Sequence, residues 1–194
     1  MATDRGRCTG AQALPLGRRA PRGAERWYLV ACPEGRERAT CERVRAIVPP
    51  GVLADAFVPR VERVKKVRGE WTVVTRDLFE GYFVAVSADA PALARALVGL
   101  SFPAALVGPV GRGYAPVDED AQAFLVRSMD ATHTIRRSEG EIVGESLRVT
   151  WGPLAGQEAR VARVNRKKAL ATVRVGGAGS SSSLLLPLAI PVRS

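Results

Sequence analysis

Apolar positions change their spacing several times along this chain of 194 residues. Residues 1–25 show no period and are rich in Arg, Gly and Pro, the composition of a disordered basic tail. Trp27-Tyr28-Leu29-Val30-Ala31-Cys32 is a short continuous apolar run, suited to a buried strand, and Pro33 ends it. Glu34 to Val48 predicts a helix with Ala39, Val44, Ile47 and Val48 on an apolar side and Arg36, Glu37, Arg38, Glu42, Arg43 and Arg45 on a charged one. Pro49-Pro50-Gly51 stops it. Leu53–Val67 and Trp71–Thr75 are β-rich runs joined at Arg68-Gly69, a hairpin signal, and Phe79–Ser87 is a third, strongly apolar run. A helix is expected over Ala92–Leu100, entered through Pro91, then a strand over Ala104–Val107. Asp118–Met129 reads as a further helix, with Asp118, Glu119 and Asp120 at its positive end. The order β-α-β-β-(β)-α-β with a trailing helix predicts a ferredoxin-like α+β sandwich: an antiparallel sheet with the helices on one face.

The pattern changes after residue 130. Residues 131–145 are polar, with two glycines, and read as a linker. From 146 onward only strands and turns are expected, at 146–151, 158–165, 168–176 and 183–190. Leu147, Val149 and Trp151 alternate with polar residues, Gly152-Pro153 and Gly156 break the run, and Val161, Val164, Val173 and Val175 resume it. Gly176–Ser183 is a Gly/Ser loop, and Leu184–Ile190 is too apolar to leave in water. The valines favour strands over a helical form of this segment. The expected division is therefore a tail at 1–25, an α+β domain at 26–130, a linker at 131–145 and a small all-β, SH3-like barrel at 146–194.

Charge sharpens this division. The chain carries +10 overall, but residues 146–194 hold eight Lys/Arg against one Asp/Glu, whereas residues 27–145 hold fifteen against sixteen. Clustered cations beside a near-neutral body are the footprint of a polyanion partner. Chemistry by bond-making is not expected. His133 is the only histidine, and Cys8, Cys32 and Cys41 are odd in number and lack metal-ligand spacing. No zinc site, cofactor, catalytic triad or disulfide framework follows from them, and a reducing compartment suits them. No apolar run approaches the ~20 residues of a membrane span. Arg5 and Arg7 precede no apolar core of a signal peptide, so a cytoplasmic protein without membrane contact is expected.

Two sets of residues carry a resemblance. Trp27-Tyr28-Leu29-Val30, Gly35-Arg36-Glu37 entering a helix, and Leu78-Phe79-Glu80-Gly81-Tyr82-Phe83-Val84 resemble the N-terminal domain of the NusG family of transcription elongation factors. Leu147–Val161 and the basic strands after it resemble a KOW motif, a segment of small barrels that bind RNA or the machines that handle it. Their order and interval are those of the family, over about residues 26–192. Ser138-Glu139-Gly140, Gly152-Pro153-Leu154 and Asn165-Arg166-Lys167-Lys168-Ala169 are similar to the LoaP subfamily of processive antiterminators.

The resemblance implies a monomeric binding protein. Leu78, Phe79, Tyr82 and Phe83, with Phe102, would dock on the clamp helices of RNA polymerase, about half of that strand being core. At the hairpin tip, Lys65, Lys66, Arg68 and Trp71 combine cations with a ring, a mixture suited to the non-template DNA strand. Arg160, Arg163, Arg166, Lys167, Lys168 and Arg174 are the expected RNA face, for a nascent RNA hairpin. Housekeeping members of the family instead couple polymerase to Rho or a ribosomal protein, and a ribosome-associated KOW module is a third reading. Two residues depart from the family pattern, Glu80 in place of a Pro and Ala159 in place of a Gly, and Ala31 stands where RfaH-type relatives carry an aromatic. If position 159 needs positive φ, Ala159 is strained there.

Overall fold

A computed structural model describes residues 25–108, 113–177 and 182–191, so all of the expected basic tail except Glu25 lies outside the described residues. The first part runs β1 (Arg26–Ala31), α1 (Glu37–Ile47), β2 (Asp55–Phe57), β3 (Arg60–Val67), β4 (Glu70–Asp77), β5 (Tyr82–Ser87), α2 (Ala90–Val98), β6 (Ala105–Leu106), α3 (Glu119–Ser128) and β7 (Thr134–Ile135). The second runs β8 (Ser138–Val143), β9 (Ser146–Trp151), a 3-10 turn (Glu158–Arg160), β10 (Val161–Asn165), β11 (Leu170–Arg174) and β12 (Ser183–Ala189).

The α+β architecture is present, with two corrections to its layout. β2, β5, β1 and β6 form one antiparallel sheet in that order, the split arrangement that the element order predicts. The β3–β4 hairpin, however, leaves this sheet and forms another with β7, in the order β4-β3-β7. Pro59, which has no N–H to give a ladder, stands between β2 and β3 where the chain changes sheet. Nor do all the helices share one face. Tyr28, Val30, Phe83 and Ala85 pack with Cys41 and Val44 of α1 and Leu93 and Leu97 of α2. Trp27, Val84 and Val86, the alternate positions, join Ala121, Phe124 and Leu125 of α3 on the other side.

Each helix start has a physical cause. Asp89 caps α2 by accepting from the Ala92 N–H at 2.9 Å, and Pro91 sits in the first turn. Asp118 caps α3 through the Asp120 and Ala121 N–H groups. Helix α1 has no side-chain cap at Arg36, and its buried face is Glu37, Thr40, Cys41 and Val44. Ala39 and Ile47, expected on the apolar side, face solvent.

The polar stretch 131–145 is not a linker. Thr134-Ile135 pairs with β3 in parallel, and Ser138–Val143 is the first strand of the second sheet. Only Arg136-Arg137 lies between the two. That sheet has the order β10-β11-β12-β8-β9, with β12 and β8 parallel and the other pairs antiparallel. Its edge strands β9 and β10 are joined through the Gly152–Gly156 turn and the 3-10 turn. Leu154 of the first of these turns is sunk in the core, and its N–H donates to Ser138 Oγ at 3.1 Å. Ala159 lies in the 3-10 turn and has no positive φ, so the strain expected there is absent. Val161 and Val164 both turn inward although three residues apart, because a bulge between Val161 and Arg163 resets the alternation.

The two parts share one apolar cluster, from Trp27, Phe57, Val61, Phe124 and Ile135 to Val149, Leu154, Ala171, Val173, Leu186 and Leu188. Arg160 of the second part makes a two-pronged bridge to Asp120 of α3, both contacts at 2.7 Å, and its guanidinium lies 5.6 Å from the centre of the Phe124 ring. Asp118 also accepts from the Gly177 N–H at 3.1 Å. Glu62 of β3 holds the crossing by accepting from Arg136 Nη1 at 2.9 Å and from the Arg137 N–H at 2.7 Å.

Gly152 locks this crossing. Its φ is +98°, and an added Cβ would lie 2.7 Å from Ser138 Cα and 2.8 Å from the Arg137 carbonyl. Gly152→Ala is expected to destabilise the protein by about 3 kcal/mol. Gly156→Ala, also at positive φ but with nothing within 4 Å, should cost about 1 kcal/mol. Urea unfolding midpoints of the two variants check the difference.

Candidate functional site

The expected apolar site is built where the chain turns through Leu78-Phe79-Glu80-Gly81 from β4 into the start of β5. Gly81 adopts φ +78°. Its carbonyl accepts from the Cys32 N–H at 2.9 Å, the Leu78 N–H donates to the Pro59 carbonyl at 2.7 Å, and the Tyr82 N–H donates to the Phe79 carbonyl at 3.3 Å. The strongest brace was hidden in the sequence. Glu37, read there as part of a solvated helix face, is only 4% exposed. One carboxylate oxygen accepts from the Gly81 N–H at 2.6 Å and from the Gly35 N–H at 3.1 Å. Burial pushes this carboxyl up, but the N–H groups of Gly81, of Glu37 itself and of Gly35 outweigh it and hold Glu37 below its ordinary value. A carboxylate near the uncapped start of α1 was the available signal, since the first N–H groups of a helix need acceptors.

The braced turn divides the expected residues. Leu78 and Phe79 are half-buried against the cluster that contains Trp27 and Val84. Tyr82, opposite Ala31 in the ladder, is 37% exposed. Phe83 is fully buried with Val44 and Leu97 beneath the helices, so it is core and not surface. Alternation along β5 requires that outcome once Val84 and Val86 face the other side. Phe102 belongs to the same helix-side cluster as Phe83, under the guanidinium of Arg43 at 3.8 Å, and is not brought together with Leu78, Phe79 and Tyr82. Glu80 is exposed beside the turn, in a shallow cleft with Arg38, Arg60 and Arg76.

The expected cations divide too. Arg68 and Gly69 form the hairpin tip with φ of +50° and +92°, the two left-handed positions of a tight hairpin turn. Lys65 and Arg68 are exposed, and Lys66 pairs with Trp71 in the ladder; the side chains of Lys66 and Trp71 lie outside those described. Arg160 is committed to Asp120 and is a tie between the two parts, not a free surface charge. Arg174 is exposed and donates to the Ala159 carbonyl. Arg163, Arg166, Lys167 and Lys168 are exposed. The consecutive triplet splits between two clefts. Arg166 lines one with Gly140, Thr150 and Ile190, while Lys167 and Lys168 line another with Arg63 of β3. Arg63 was not singled out by the sequence, where it is one arginine among many.

The two placed thiols are held protonated at neutral pH. Burial, then the charges of Glu37 and Asp77, raises Cys32 to about 11, and burial foremost raises Cys41 to about 12. Among the described residues no cluster of His, Cys, Asp and Glu is arranged to hold a metal ion, and no helix is long and apolar enough to cross a membrane.

No family model and no curated protein matches the chain. Among solved structures it is similar to one described as "Domain interaction in Thermotoga maritima NusG", at 15% identity and a TM-score of 0.48, over 85% of this chain and 93% of that one.

Glu37→Gln is expected to destabilise the protein by about 1–3 kcal/mol, the range for a buried acceptor lost from charged hydrogen bonds. The folded carboxyl sits below its ordinary value of 4.5. Its contribution is therefore complete above pH 4.5 and lost as pH falls through the lower folded value. The gap between wild type and variant should narrow on acidification below 4.5, as read by denaturant titrations across pH.

Proposed function

We propose that this protein is a transcription elongation factor of the NusG type, working as a processive antiterminator. Leu78, Phe79 and Tyr82 dock on the clamp helices of RNA polymerase, and the basic second sheet binds nascent RNA. The observation that carries the reading is the turn braced by Glu37. It holds Phe79 and Tyr82 at the surface on a backbone fixed at both ends, so a partner meets rings that have little freedom left to lose. The residues of that turn are those through which the chain resembles the family.

The mechanism is binding alone. A protein anchored to the clamp holds it closed, which disfavours the opened, paused states that precede termination. Exposed Arg163, Arg166, Lys167 and Lys168 give the second sheet affinity for phosphates, and a contact to the leader RNA would load the factor on its own operon. Glu80, beside the rings, places a carboxylate in the docking surface and selects a polymerase with a cation opposite.

Capture of purified RNA polymerase by the full chain tests the reading. Tyr82→Ala and Phe79→Ala should each weaken capture by at least about thirtyfold, the effect of losing a hot-spot ring. Phe102→Ala, on the other side of the sheet, should leave it unchanged. Capture that is insensitive to Tyr82 and Phe79 removes the docking assignment, and retention of ribosomal RNA without polymerase replaces it with a ribosome-associated module.

A further inference from the structure

The hairpin and the second sheet, read from sequence as two separate nucleic-acid surfaces, meet in one cleft. It has a volume of about 380 Å³ and is lined by Arg63 and Val64 of β3 and by Lys167, Lys168, Ala169 and Leu170 of the β10–β11 turn. We propose that this cleft is a composite site for a phosphodiester group of a nucleic-acid strand, with Arg63 at its centre and Lys167 and Lys168 as its rim.

Arg63 has the features of a ligand-binding cation. Its Nη2 donates to the Leu185 carbonyl of β12 at 2.7 Å, which fixes the guanidinium across the junction of the two parts. Its Nη1 is shut off from solvent without a hydrogen-bond partner. Among the described residues, Arg63, Lys167 and Lys168 take part in none of the ion pairs. Glu62, next to Arg63 in sequence, is already occupied by Arg136 and the Arg137 N–H. Three cations thus border one cleft with no carboxylate in its lining.

The turn is shaped to aim the lysines. The Lys168 N–H donates to Asn165 Oδ1 at 3.0 Å, and Ala169 is forced to φ +49°, a left-handed position that a residue with a Cβ rarely takes. The Leu188 N–H donates to the Ala169 carbonyl at 3.0 Å and holds it there. A left-handed residue retained at a surface turn that lines a cationic cleft fits a turn kept for binding.

The chemistry favours a phosphodiester over an acidic peptide. One N–H of Nη2 is committed to Leu185, which leaves the other N–H groups of the guanidinium. Those N–H groups and two mobile ammonium groups suit the spaced oxygens of a phosphodiester strand. Val64, Ala169 and Leu170 supply an apolar floor for the adjoining sugar. Lys65 lies two residues along β3 from Arg63, on the same side of the strand, and continues the cationic track towards the hairpin tip. The proposal rests on the second sheet binding nucleic acid, as proposed above, and adds that β3 completes the site.

The test is fluorescence anisotropy of the full chain with labelled single-stranded RNA and with DNA of the same sequence, across a salt series. Arg63→Gln and the pair Lys167→Gln/Lys168→Gln should each weaken binding about tenfold. The combined variant should lose less than the product of the two, because all three groups serve one phosphate. The slope of log affinity against log salt should fall by about 1. Arg63→Lys, which keeps the charge but not the fixed fork, should also bind more weakly while its thermal midpoint stays near that of wild type. Preference for one of the two strands identifies the source of the phosphate. If the lysine pair matters and Arg63→Gln and Arg63→Lys bind as wild type, the composite site is wrong and RNA binding by the second sheet alone stands. If wild type binds neither strand, both fail. Displacement by polyglutamate as effective as by RNA, at equal charge, overturns the choice of phosphate.

Discussion

The burial of α3 and β3 against the second sheet is the constraint from which the other features follow. Phe124, Leu125, Val61 and Ile135 on one side and Leu154, Val173, Leu186 and Leu188 on the other form one continuous apolar cluster. Most of these side chains are almost wholly removed from water, and each contributes about 1.5–3 kcal/mol by that removal. The polar contacts around them add little energy where they are exposed, but they fix the angle. Asp118 and Asp120 grip Gly177 and Arg160, and Glu62 grips Arg136 and the Arg137 backbone. With that angle fixed, Arg63 lies over β12 and opposite the β10–β11 turn.

The turn that leads into β5 follows a different logic. Its rings sit where a sheet face runs out of covering helix, and apolar side chains alone would leave such a segment free to move. Glu37 prevents this by binding the backbone and not the side chains. The sequence can therefore vary at Glu80 without releasing the turn, since the acceptor addresses N–H groups that every residue but proline carries. Proline at position 80 and glutamate there leave the Gly81 N–H equally available.

Most elements were legible because local signals and packing agree. Pro49-Pro50, Pro91, the acidic start of α3 at Asp118, Arg68-Gly69 and the valine pattern of β10 and β11 each mark a boundary that the structure keeps. The failures share a cause. Thr134 is a buried polar residue, Ser138 and Gly140 are small where other backbone approaches closely, and the same composition describes a linker. Glu37 and Arg160 are charged residues whose distant partners, Gly81 and Asp120, lie 44 and 40 positions away in the chain, so local sequence hints at most at a helix-start acceptor for Glu37 and at nothing for Arg160. Tyr82 and Phe83 differ only by the alternation of one strand, and the face that α1 and α2 cover decides which of them is core. The division of Arg166 from Lys167 and Lys168 depends on how a turn projects, which no period along the sequence records.

The parallel pairing of β12 with β8 has a bearing on how the chain is made. Leu188 and Ala189 lie beside Ser138 and Glu139, so the second sheet joins its first strand to its last. During synthesis from the N-terminus, β8 and β9 emerge as a lone hairpin, which is marginal in water. They wait for β12 before their inner face is covered. The first sheet needs nothing beyond β6 and can close earlier. The second sheet therefore depends on its most distant strand for cover, whereas the first has all its strands once β6 is made.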